Sequence, residues 1–187
     1  MEPRFEEKGL FRVLGVEDDA YKIEEVDPGF NDLWLNRFES RWDEVEPYSI
    51  DGTCYGVWYG FTETDILKGT CLAGMAVGDD AKTPEGWVIR DIPASNYAVF
   101  ETTLRDIGDT TEYALRQWLP RSDYELDTPK PRLDLMPPDT LTQESPVSVW
   151  IPVRKKGEGK SWAMMNSTNS CSGQNMFRMT WKEQASS

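Results

Sequence analysis

The sequence predicts an α+β fold of two strand–helix–strand–strand modules, related by a pseudo-twofold axis and paired into a mainly antiparallel sheet. The same order of elements occurs twice along the chain. Each module has one amphipathic helical segment, and its strands are short apolar runs separated by turn residues. The length of 187 residues suits one domain with an appendage.

The first module begins with a strand at 11–16 and continues with a helix. We expect the apolar stripe of this helix to be core, because a surface helix must bury such a stripe. Strands follow at 54–61 and 69–78, and alternation places Tyr55 and Trp58 on opposite faces of the first of them. The stripe consists of Phe30, Leu33, Trp34, Phe38 and Trp42.

The second module repeats this order. An extended segment at 87–101 is interrupted at Pro93, and a capping box at Asp109 opens a short helix that ends near Pro120. On the last strand, Trp150 points away from the alternating valines and isoleucine. The strands predicted after the helix lie at 124–127, 132–136 and 147–153.

Glu125 stands in the middle of one of these strands, among segments rich in aromatic residues. Burying an unpaired carboxylate is costly, so a buried Glu125 would need a cation. A ligand cation would serve, which points to a small-molecule pocket. The alternatives are an internal cation such as Arg90 or Arg132, or exposure of Glu125 to solvent.

The net charge of the chain is negative and unevenly distributed along the sequence. The formal net charge is −13, and residues 154–187 carry six basic and two acidic side chains, so the rest of the chain carries −13 − 4 = −17. An acidic body repels nucleic-acid phosphates and favours cationic ligands, although the same charge also serves solubility.

The chain contains no histidine. This excludes a serine–histidine–acid triad, histidine-ligated zinc and histidine-ligated haem, and we expect neither a metal nor a cofactor. The three cysteines form no CxxC pair. With no basic-then-apolar leader and no apolar run long enough to span a bilayer, these features predict a cytoplasmic protein that does not enter membranes.

Three segments of the second half carry a family resemblance: IPASNYAVF at 92–100, QWLPRSDYEL at 117–126 and VSVWIPV at 147–153. Tyr55-Gly56, on the strand after the first helix, is a weaker match. Over residues 3–153 the chain resembles the gyrase-inhibitor-like, AraC-type effector-binding domain. Such domains also form the ligand half of some bacterial multidrug-sensing transcription activators.

The resemblance implies two strand–helix–strand–strand modules and an aromatic pocket in which a buried glutamate receives lipophilic cations. The motif match places that glutamate at Glu125 and a pocket tyrosine at Tyr55, with Trp150 at an aromatic position of the last strand. Trp58 and Tyr97 are further candidates for the pocket lining.

The leading functional interpretation is a stand-alone module, over residues 1–153, that binds hydrophobic cationic small molecules. One alternative is a hydrolase of strained cyclopropanoid electrophiles, with Glu125 as general base and Tyr55 donating a hydrogen bond. Another is a protein-interaction module in the manner of a gyrase inhibitor. Residues 1–10 leave no room for a helix-turn-helix, so we expect no direct DNA binding; a protein partner or a homodimer stays open. Residues 154–187 are interpreted as a basic linker and tail.

Overall fold

The computed structural model describes residues 1–22, 32–60, 68–140 and 142–157. The tail at 158–187, together with Phe30 and Phe61, lies outside the described residues. The strands are β1 (Arg4–Lys8), β2 (Phe11–Lys22), β3 (Ser49–Tyr59), β4 (Lys68–Val77), β5 (Val88–Ile92), β6 (Ser95–Thr103), β7 (Tyr124–Leu126), β8 (Arg132–Met136) and β9 (Pro146–Lys155).

Among the residues that the structure describes, two helical segments connect strands. The first comprises the π-helical turns Asp32–Phe38 and the 3-10 turns Glu39–Glu44 and Glu46–Tyr48. The second runs through Leu104–Asp106, Ile107–Tyr113, Ala114–Trp118 and Leu119–Arg121. Leu33 and Phe38 of the predicted stripe are buried, and Trp34 and Trp42 are partly buried against them, so these four residues belong to the core. The second segment begins at Leu104, so the prediction that Asp109 caps it is wrong.

The strands form one sheet in the order β1-β6-β9-β8-β3-β4-β2-β5, with β7 paired to β9. Every pairing among the described strands is antiparallel. The α+β class and the antiparallel sheet are therefore confirmed. Within the two halves the orders β3-β4-β2 and β8-β9-β6 correspond, while the pseudo-twofold relationship itself stays a prediction. Strand β1 was not predicted.

Short connections force this sheet to curl. Gly9 and Leu10 alone join β1 to β2, and Pro93 and Ala94 alone join β5 to β6, although each pair of strands lies near opposite ends of the sheet order. In a flat sheet β1 and β3 would be four strand spacings apart, about 19 Å. Lys8 of β1 nevertheless contacts Tyr55 of β3, which requires the two ends to approach each other.

Alternation along the strands divides the core between the two faces of the sheet. Both helical segments pack on one face, which we call the outer face; the opposite face is the inner face. On the outer face, Leu33 and Phe38 of the first segment pack with Trp58, and the second segment packs over Phe100 and Ile151. Residues 1–155 form one compact unit. The inner face holds a cluster of its own, composed of Val13, Tyr55, Val57, Leu72, Ala76, Ile92, Tyr97, Val99, Leu133 and Trp150.

Candidate functional site

Aromatic side chains from four strands meet on the inner face. Tyr55, Tyr97 and Trp150 are buried there, and Phe11 is partly buried against them. The ring centroids of Tyr97 and Trp150 are 5.6 Å apart in a T-shaped arrangement, and those of Phe11 and Tyr55 are 5.4 Å apart. The structure therefore brings together three of the residues that the sequence pointed to.

Lys8 inserts its ammonium among these rings. Its Nζ lies 4.7 Å from the centroid of Phe11, 5.3 Å from that of Tyr55 and 5.4 Å from that of Trp150. The ammonium also donates a hydrogen bond of 3.3 Å to the Tyr55 hydroxyl. We call Lys8, Phe11, Tyr55 and Trp150 the Lys8 cage. It is a cation–π site of three aromatic rings, and the chain itself supplies the cation through Lys8.

Burial decides the protonation equilibria of the cage. Desolvation lowers the pKa of Lys8, while the negative charges of Asp51 and Glu6 act in the opposite direction. Burial, with a smaller contribution from Asp51, raises the pKa of Tyr55 to about 12. The phenol is therefore protonated near neutral pH and can act as a hydrogen-bond donor. Arg4, also on β1, holds its guanidinium 5.8 Å from the Trp150 centroid.

Glu125 lies at the rim of the same face. It pairs with Arg154 on β9, and alternation puts Arg154 on the side of the sheet that carries Trp150. The Glu125 side chain is 40% exposed, and the Arg154 Nε donates to its Oε1 over 2.8 Å. Glu125 is therefore not buried, as the sequence analysis expected, but partly exposed. Arg154, near the end of β9, supplies its counter-charge. A role of Glu125 in ligand binding stays a prediction.

Tyr55 and Glu125 are not neighbours. Through Leu135, the register places Tyr55 level with Ser148 of β9, whereas Glu125 is level with Arg154. These β9 positions are six residues apart (154 − 148), roughly 20 Å at about 3.4 Å per residue. The structure does not bring the two groups of the hydrolase interpretation together.

Trp58 lies on the outer face, opposite Tyr55, in a polar group that the sequence analysis missed. Its Nε1 donates to Asp134 Oδ2 over 2.7 Å, and the Arg132 guanidinium lies 4.5 Å from its ring centroid. Arg132 and Asp134 form an ion pair of 3.0 Å, with side chains 3% and 6% exposed. Arg132 therefore neutralises Asp134 and not Glu125, and Arg90 pairs with Glu17.

Burial raises the pKa of Asp134, and the charge of Arg132 and the hydrogen bond from Trp58 oppose this effect only in part. The Asp134 Oδ1 and the Arg132 Nε and Nη1 are buried without hydrogen-bond partners among the described residues. Alternation could have revealed the pair, since Arg132 and Asp134 are two positions apart in an apolar strand and so share a face.

Family comparison agrees with this architecture. The model of the GyrI-like small molecule binding domain matches residues 1–154, most of the chain. The chain belongs to the GyrI-like small-molecule-binding family. This GyrI-like domain matches no curated protein. In its described residues, no helix is long and apolar enough to cross a membrane.

Solved structures share the fold of this GyrI-like domain at low sequence identity. SAV2435 bound to tetraphenylphosphonium is 14% identical, with a TM-score of 0.63 over 82% of this chain and 94% of that chain. The EcmrR C-terminal domain is 13% identical, with a TM-score of 0.60 over 82% and 98%. The EcmrR chain in a complex with DNA is 12% identical, with a TM-score of 0.56 over 82% of this chain and 57% of that one.

Proposed function

We propose that this GyrI-like domain binds hydrophobic organic cations in the Lys8 cage. The observation that supports this proposal is an ammonium already held over three aromatic rings at 4.7 to 5.4 Å. A site that accommodates the chain's own cation has the ring geometry that a ligand cation needs. Tyr97, which packs on Trp150, extends the aromatic surface toward Glu125 at the rim.

A ligand cation would take the place of the Lys8 ammonium, because two like charges in one partly desolvated site repel each other. The long side chain of Lys8 can carry its charge back to water. Each ring attracts a cation by about 0.5–2 kcal/mol, which Lys8 already gains. The ligand gains further from its aryl surface, at about 25 cal/mol per Å² removed from water. After the costs of association, micromolar binding, roughly −8 kcal/mol, is expected.

The negative charge that favours a cation comes from more than one carboxylate. Asp51 and Glu6 both act on the cage, as their effect on the pKa of Lys8 indicates. Glu125 is farther away and shares its charge with Arg154. Because ring stacking and diffuse charge do not read detailed hydrogen-bond patterns, we expect broad selectivity among flat or multi-aryl cations.

The comparisons support the ligand class in one respect. SAV2435, which has the same fold, is bound to tetraphenylphosphonium, an aryl cation. EcmrR as a whole chain forms a complex with DNA, but this chain corresponds to only 57% of it. The acidic charge of this GyrI-like domain disfavours phosphate contacts, so our proposal includes no direct DNA binding.

The experiment titrates the protein with tetraphenylphosphonium and with neutral triphenylphosphine oxide, using tryptophan fluorescence and calorimetry. We expect the cation to bind about tenfold more tightly than the neutral compound, a difference of ~1.4 kcal/mol. Trp150→Phe should weaken the cation several-fold, because indole gives the stronger cation–π attraction. Trp42→Phe, on the first helical segment and away from the cage, is the matched control. Equal affinity for both compounds, or equal losses in both variants, would refute the site.

A further inference from the structure

We propose that Lys8 is also a carbonyl-reactive amine, which forms an imine with aromatic aldehydes. The proposal does not rest on cation binding, because it concerns the neutral amine of Lys8 and a neutral substrate. It starts from the position of Nζ, which is half-buried among the rings of Phe11, Tyr55 and Trp150 and within 3.3 Å of a phenol. A desolvated lysine of this kind is the usual imine-forming nucleophile in proteins.

The surroundings of Lys8 act on its proton in both directions, because the rings attract the ammonium while burial lowers the pKa of Lys8. Within the described ranges, no carboxylate lies within 4.0 Å of Nζ. The acidic groups that act on it from a distance are Asp51 of β3 and Glu6 of β1, and Arg4 adds a positive charge on the same face. Desolvation outweighs the two carboxylates, and a neutral aldehyde that comes between Nζ and the rings removes the attraction that holds the ammonium, so the neutral amine becomes available to the bound aldehyde.

The groups needed for the reaction are present. The Nζ lone pair attacks the carbonyl carbon, a C–N bond forms, and the C=O electron pair moves to oxygen, which takes up one proton from nitrogen to give a carbinolamine. The nitrogen lone pair then forms the C=N bond as the C–O bond breaks, and the second nitrogen proton leaves with the oxygen as water. The Tyr55 phenol, protonated because its pKa is about 12, donates a hydrogen bond to this oxygen as it leaves as water. The products are one imine and one water molecule, with no change in oxidation state.

The walls of the site select aromatic aldehydes. An aldehyde carbon bonded to Nζ places its substituent against the rings of Phe11 and Trp150, the two cage members that carry no group for the reaction. An aryl group gains offset stacking there beyond its burial, which an aliphatic chain does not. Benzaldehyde should therefore react at Lys8 in preference to an aliphatic aldehyde of similar size.

The experiment treats the full chain with benzaldehyde and sodium cyanoborohydride, which reduces the imine to a stable benzylamine. Peptide mass spectrometry then gives the rate of labelling at Lys8 and, in the same sample, at the exposed Lys82. We expect Lys8 to react several-fold faster than Lys82 near neutral pH, and the ratio to fall as the pH rises and surface lysines lose their protons. Hexanal in place of benzaldehyde should reduce the ratio.

Variants separate the reaction from nonspecific labelling. Lys8→Arg should remove the fast site and keep the cage filled by a cation, whereas Lys82→Arg should leave it unchanged. Tyr55→Phe should slow labelling at Lys8 without a change at Lys82, because it removes only the hydroxyl. Equal rates at Lys8 and Lys82 in the wild type, or a Lys8 rate that Tyr55→Phe does not alter, would overturn the proposal.

Discussion

The Lys8 ammonium donates a 3.3 Å hydrogen bond to the Tyr55 hydroxyl, although three strands separate β1 from β3 in the order of the sheet. This contact exists because the sheet curls and brings its ends together over the aromatic inner face. The consequence is that the first strand of the chain fills the site that we propose for a ligand. The charge of Lys8 therefore bears on how tightly a ligand cation binds.

Removal of the Lys8 charge is expected to increase cation affinity. In Lys8→Gln, a ligand cation no longer has to displace an ammonium from the Lys8 cage, and we expect tetraphenylphosphonium to bind about tenfold more tightly, ~1.4 kcal/mol. Calorimetric titration at fixed ionic strength gives the dissociation constants. Lys82→Gln makes the same charge change at an exposed position and should have little effect. A weaker affinity of Lys8→Gln would show that the cage does not hold the ligand.

Substitution of two carboxylates can show which of them attracts the ligand cation. The charge of Asp51 acts on Lys8 through space, whereas Glu125 is half-exposed and paired with Arg154. We expect Asp51→Asn to weaken cation binding more than Glu125→Gln does, and neither to change the binding of triphenylphosphine oxide. Asparagine retains the oxygen that accepts from the backbone N–H of Thr53, so the turn should persist. A larger, cation-specific loss in Glu125→Gln would instead place the ligand charge at the rim.

The buried ion pair below Trp58 should control stability. Arg132→Met leaves the Asp134 carboxylate buried without its counter-charge, and we expect the free energy of unfolding to fall by about 3–5 kcal/mol at pH 7. Urea unfolding measures this. The double variant Arg132→Met, Asp134→Leu removes both charges and should recover most of the loss.

The same variant should have a characteristic pH dependence. The folded-state pKa of Asp134 is already raised above its ordinary value, and loss of Arg132 raises it further. The stability that depends on the protonated carboxyl is fully present below about pH 4 and is lost as the pH rises through the folded pKa. The deficit of Arg132→Met should therefore shrink as the pH falls from 7 toward 4. A deficit that does not depend on pH would contradict this assignment.

The part of the chain that folds on its own is also testable. We expect residues 1–155 to melt at nearly the temperature of the full chain, because they form one compact unit. Our sequence-based boundary at 153 removes the last two residues of β9 and the cation of Glu125, so that shorter chain should be less stable by about 1 kcal/mol or less. Calorimetry of the three chains tests this; insolubility of residues 1–155 would contradict it.

The hydrolase interpretation leads to a negative expectation. Tyr55 and Glu125 are roughly 20 Å apart along the strand direction, a separation at which we do not expect them to act on one substrate as hydrogen-bond donor and general base. We expect no turnover of a cyclopropane-bearing electrophile that depends on Glu125. Product analysis by mass spectrometry, with Glu125→Gln as the comparison, decides it. Turnover that the substitution abolishes would restore the enzyme interpretation.

The sequence by itself determined the strands other than β1, the alternation of residues along them and the family. The two-residue period of a strand puts Tyr55 and Trp58 on opposite faces of β3, and puts Trp150 on the face of β9 opposite Val149 and Ile151. Only the tertiary structure decided what each face meets. Lys8, Tyr55 and Trp150 come together because the sheet curls, and Glu125 and Asp134 find their cations through strand register and burial. Local patterns carry no information on such pairings, because they depend on which distant strands become neighbours.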